Sequence, residues 1–147
     1  MSRSTPEIDT LKTLHTALID SRNGYEEALN QAEGGDHIIL FQELIAAHQT
    51  SAVEIEQRVA ASGATPDISG SFMSTINRTM MDVRALFTGL GDAVLPALIS
   101  SEKRNIELYD AALKVSGADY APILSANRES LIELIGKMER LQARAAA

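Results

Sequence analysis

Cysteine is absent from the 147 residues, which excludes a disulfide framework, thiolate metal sites, iron–sulfur clusters and a cysteine nucleophile. Tryptophan is absent as well, and aromatic residues reach only 4%. No apolar run approaches the roughly 18 residues that span a bilayer. The N-terminal stretch Met-Ser-Arg-Ser-Thr-Pro-Glu leads into no apolar signal-peptide core, so the sequence predicts a cytoplasmic protein that binds no membrane. Basic residues are few: 13 Lys and Arg stand against 20 Asp and Glu, a net charge of −7 that favours solubility and argues against a nucleic-acid surface. What is plentiful is alanine, with 21 residues, inside a chain that is 45% hydrophobic and 22% charged. That is the balance of one soluble domain, leaning towards helix.

Stop signals divide the chain into helical segments. Thr5-Pro6-Glu7 reads as a cap, a proline at the first helical position and an acid in the first turn, which leaves 1–5 as a tail. Leu11, Leu14, Leu18, Tyr25 and Ala32 then recur at helical spacing up to Gly34-Gly35. Asp36 is placed to cap a second helix with the stripe Phe41, Leu44, Ile45, Ala52, Ile55 and Val59, ending near Ser62-Gly63. A loop by composition follows, then a shorter amphipathic segment with Phe72, Met73, Ile76, Met80, Val83 and Phe87. Asp92 is placed to cap the next long helix, whose stripe is Leu95, Leu98, Tyr109 and Ala112. Asp119 is placed to start the last, with Leu124, Leu131, Leu134, Ile135 and Met138, and residues 143–147 are expected to fray.

No segment alternates with a period of two, so no sheet is expected. The sequence therefore predicts an all-α single domain over 1–147. Its form is a ferritin-like four-helix bundle: two antiparallel hairpins joined by a long crossover, 63–92, that contains the extra short helix.

Several short marks occur in a characteristic order. They are Asp20…Asn23-Gly24-Tyr25…Ala28, Leu40-Phe41…Glu43-Leu44, Asn77-Arg78…Met81-Asp82 and Val94-Leu95…Glu102…Tyr109…Ala112-Leu113. In this the chain resembles an uncharacterised bacterial ferritin-like family of four-helix-bundle proteins. The resemblance implies a ferritin-like fold, a stress-related bacterial setting and no established biochemical activity. The family tends to carry several acids just before the counterpart of Glu102, whereas this chain has Ala97, Ile99 and Ser101 there.

Di-iron carboxylate bundles need Glu-x-x-His on two helices and a lone Glu on each of the other two. Here His15, His37 and His48 each lack a Glu three residues earlier, and Glu129, Glu133 and Glu139 of the last segment fall outside or at the edge of its stripe. No metal or other cofactor is expected. Were iron or manganese held in a degenerate site, the ligands on offer would be Glu102, His48 and Glu56. His48 lies within about 20° of the centre of its apolar stripe and is read as a core histidine. Glu102 lies near the centre of the face bearing Leu98, Ile106 and Tyr109, where a carboxylate must be paired. Arg22, about 40° from the centre of its own stripe, is the expected partner. The expected buried polar set is thus Arg22, Glu102, Asn105 and His48, with Asn105 standing where a second metal ligand would have to be.

Other chemistry finds no foothold. Gly89-Leu90-Gly91 lacks the pattern of a phosphate loop, Ser69-Gly70-Ser71 is no nucleophile elbow, and His48 points inward rather than out as a phosphotransfer histidine must. Met73, Met80 and Met81 are read as core cover for the bundle. No catalytic residue is assigned. The sequence predicts a non-enzymatic, homo-oligomeric bundle that acts by association with a protein partner it does not identify. The competing readings are a metal-binding or redox bundle and a carrier of a small apolar molecule between the helices.

Overall fold

The computed structural model describes residues 5–31, 37–61 and 94–146, and the described residues contain helices and no strand. Helix α1 spans Thr5–Gln31, α2 Ile38–Ala61, α3 Leu95–Val115 and α4 Ala121–Ala146. At 1.5 Å per residue each is about 30–40 Å long. The segments expected to hold Asp36, the 63–92 crossover, its short helix with Met73, Met80 and Met81, and Asp92 lie outside the described residues.

Each helix follows from inward residues spaced three and four apart, which places them on one face. In α3 the buried series is Leu95, Leu98, Glu102, Asn105, Tyr109 and Ala112. In α2 it includes Phe41, Leu44, His48, Ala52, Ile55 and Val59. Leu11, Leu14, Leu18, Tyr25 and Ala28 serve α1, and Leu124, Leu131, Ile135 and Met138 serve α4. Together they form one core drawn from all four helices.

The helix ends differ from the expected ones in three places. Val94, in helical conformation, is the N-cap of α3 and makes no side-chain cap bond. Pro96 sits in the first turn, where its missing N–H leaves no bond unmade. Helix α4 begins at Ala121 rather than Asp119, because the Gly117 carbonyl accepts from the N–H of Tyr120 at 3.2 Å and of Ala121 at 3.1 Å, closing a turn first. At the termini of the chain, α1 already includes Thr5 and α4 continues through Ala146, beyond the expected fraying point at 143.

Helix α1 packs on α2 and α3, and α4 packs on α3 and, more loosely, on α2. The helices thus stand at the corners of a square, with α1 diagonal to α4 and α2 diagonal to α3. Side-chain pairs give the directions. His15–Glu56 and Arg22–Gln49 make α1 and α2 antiparallel. Ser21–Asn105 and the bond from the Gly117 N–H to Glu7 Oε2, 2.7 Å, do the same for α1 and α3. Asn127–Glu54 and Lys137–Glu43 set α4 against α2, and Arg128–Asp110 and Lys103–Glu139 set it against α3. Every neighbouring pair is antiparallel, so the diagonal helices α2 and α3 run the same way.

Candidate functional site

Two turns into α3 the apolar stripe is interrupted by Glu102, which is fully buried. An isolated carboxylate in that position costs several kcal/mol, about the size of a protein's whole stability margin, so it needs donors. Three helices supply them. The Tyr25 hydroxyl from α1 donates to Oε2. His48 Nε2 from α2 stands 2.8 Å from the same oxygen. Asn105 Nδ2, one turn further along α3, donates to Oε1 at 2.9 Å and to Ser21 Oγ of α1 at 3.0 Å. Both hydrogens of that amide are therefore used, and both oxygens of the carboxylate are engaged.

Burial by itself raises the proton affinity of Glu102, but the charge of His48 and the bonds from His48, Tyr25 and Asn105 outweigh it. The carboxyl is held below its ordinary range and is ionised near neutrality. Since an ionised carboxylate only accepts, Nε2 of His48 must carry a hydrogen. Burial first, then the Glu102 charge and the bond to it, push the Tyr25 phenol well above its usual value, so Tyr25 remains a donor. Tyr109, a turn beyond Asn105, bonds to Ser51; burial, helped by the charges of Glu102 and Glu54, pushes its phenol up to about 12. The rings fix the geometry. Tyr25 meets Phe41 edge-on at 5.5 Å and stacks beside His48 at 6.1 Å.

The expected Arg22–Glu102 pair does not form. Arg22 is half-buried at the α1–α2 boundary, where Nη1 donates to Gln49 Oε1 at 2.5 Å, and Nε and Nη2 donate to Asn23 Oδ1. Ser21 takes the inward place instead. One residue is a 100° rotation on a helix, and a small hydroxyl fits beside Asn105 where a guanidinium on a long stem turns out to water. Glu102, Asn105 and His48 are buried together, but Glu56, the remaining ligand candidate, is eight residues from His48 on α2, about 12 Å along the axis. It pairs with His15 at 2.5 Å. His15 and His37 are both buried as well. Among the described residues no three His, Cys, Asp or Glu side chains stand together as a metal site would require.

The sequence reading overlooked Tyr25 as a donor, treating it as one more apolar residue of its stripe. A signal existed: a tyrosine in a core stripe needs a partner for its hydroxyl. Ser21, Ser51 and the His15–Glu56 pair carried no comparable signal, because their partners lie across helix boundaries.

Two clefts flank the cluster on opposite sides of the bundle. One, of about 260 Å³, opens between α2 and α4 and is lined by His48, Ser51, Tyr109, Asn127 and Ser130 among others. The other, of about 370 Å³, lies between α1 and α3, with Ser21, Ser101, Arg104 and Asn105 in its walls.

Fold and site together define, among the described residues, a four-helix bundle with a charged, hydrogen-bonded centre. The family model described as Domain of unknown function (DUF2383) matches residues 6–115, well over half of the chain, and the chain belongs to that family. The match takes in α1, α2 and α3, the three helices that build the Glu102 cluster, and stops before α4. No curated protein and no solved structure matches the chain. No described helix is long and apolar enough to cross a membrane.

Proposed function

We propose that the protein is a ferritin-like bundle that acts without enzymatic turnover, by association with copies of itself and with a protein partner. The observation that carries this reading is the enclosure of Glu102: it is fully buried, and both its oxygens accept from core donors, Tyr25, His48 and Asn105. The cluster sets register. One side chain from each of α1 and α2 must meet α3 at one level, and a slip of any helix by one turn would strand a charge. The four antiparallel contacts, with α2 and α3 parallel on a diagonal, support the ferritin-like assignment with its crossover between two hairpins. A stress-related bacterial setting is proposed from the family resemblance, and a cytoplasmic location goes with described helices none of which is long and apolar enough to cross a membrane. Light scattering across a wide concentration range, with elemental analysis of protein purified without chelator, tests the reading. The expected result is a symmetric assembly of 15.8 kDa subunits without stoichiometric iron or manganese. A monomer at every concentration overturns association, and one equivalent of metal overturns the closed centre.

A further inference from the structure

His48 belongs to two environments. Its Nε2 faces Glu102, yet the same buried residue also lines the α2–α4 cleft. With Nε2 engaged, Nδ1 is the only polar atom that the ring has left for the cleft, and at about 30 Å³ per water the cleft has room for several. The two sides of the cluster are not equivalent in this respect. Towards the α1–α3 cleft the contacts run through Asn105, an amide that gives up no proton near neutrality, and through Tyr25, whose phenol holds its proton well above the usual range. An imidazole can take up a proton on one nitrogen and carry its charge to the other.

We propose that His48 is a proton port: water in the α2–α4 cleft reaches Nδ1, so that the charge of the His48–Glu102 pair follows the pH of the solution while the bundle stays folded. Among the described residues the titratable groups facing His48 are few. They are Tyr25 on α1 and Glu102 and Tyr109 on α3, with Glu54 of its own helix acting on Tyr109; α4 contributes Asn127, Ser130 and Leu131, none of which titrates. This inference rests on the polar cluster and not on the association reading, so a monomeric protein would leave it standing.

The test is the rate at which the proton taken up by His48 Nδ1 exchanges with water, read by NMR on ¹⁵N-labelled full-length protein below neutral pH, with His48→Gln to assign the signal. In the parent, exchange is expected to outpace the slowest backbone amides, which exchange through global unfolding. Ser130→Phe, an exposed position in the wall of the α2–α4 cleft, is expected to slow it about tenfold by closing that local path. Ala17→Leu, in the wall of the opposite cleft, is expected to leave the rate unchanged. Should Ser130→Phe fail to fold, Ser130→Met fills the same space with a flexible chain. A parent rate equal to that of the slowest amides overturns the proposal. So does a rate untouched by filling the α2–α4 cleft, or one slowed only by Ala17→Leu.

Discussion

Replacing Glu102 by Gln keeps the shape of the side chain and removes its charge, which isolates what the carboxylate contributes. The native group accepts from three donors, Tyr25, His48 and Asn105, and is fully buried. An amide offers one acceptor oxygen and puts an NH₂ where the other was, so the groups that donate to Oε2, Tyr25 and His48, must give up those bonds or turn to accept. Breaking one side of a buried ion pair costs about 3–5 kcal/mol, because the remaining partner is stranded. For a chain of this size that corresponds to a fall in Tm of about 6–20 °C, taking about 2–4 °C per kcal/mol. Urea unfolding followed by circular dichroism gives the free energy directly, provided that the m-value is unchanged. Arg22→Gln is the matched control, since Arg22 bonds at the surface of the α1–α2 boundary, and it should cost no more than about 1 kcal/mol. A Glu102→Gln protein as stable as the parent would show that the cluster contributes nothing, and a large loss in Arg22→Gln would show that the pairing has been misassigned.

Tyr25→Phe removes one charge-assisted bond but keeps the ring against Phe41, so it should cost about 1.5–3 kcal/mol, less than Glu102→Gln, in the same urea assay. Glu102 has its proton affinity lowered on folding, so the native state binds fewer protons than the unfolded chain. Its contribution is complete above the ordinary carboxylate range and is lost as pH falls below it. Acid titration of stability should accordingly be steeper in the parent than in Glu102→Gln. Tyr109 is raised on folding, so its contribution is present below pH 10 and lost towards about 12; tyrosinate absorbance should therefore lag behind free tyrosine in the native protein and catch up on unfolding.

The helical architecture could be read from the sequence because spacing of three and four residues survives as burial. Leu11, Leu14 and Leu18, or Leu95 and Leu98, fall in the core as the periodicity requires. The burial of Glu102, Asn105 and His48 was legible in the same way, since each interrupts an apolar stripe near its centre. Their partners were not. Periodicity gives the direction of a side chain on its own helix but not the height at which another helix meets it. It could not decide between Ser21 and Arg22, adjacent residues that flank the same stripe, or show that Tyr25 arrives at the level of Glu102. The start of α4 was not legible either, because a backbone turn at Gly117 does the work expected of Asp119.

Whether Glu102 is held by protein donors or awaits an ion is decided by melting the parent protein with and without added manganese or ferrous iron. A carboxylate already bound by Tyr25, His48 and Asn105 gains nothing from the metal, and Tm should stay where it is. A metal ligand would behave otherwise, with the folded state stabilised by about 2.7 kcal/mol at a hundredfold excess over Kd. A metal-dependent rise in Tm that disappears in Glu102→Gln would contradict the closed centre.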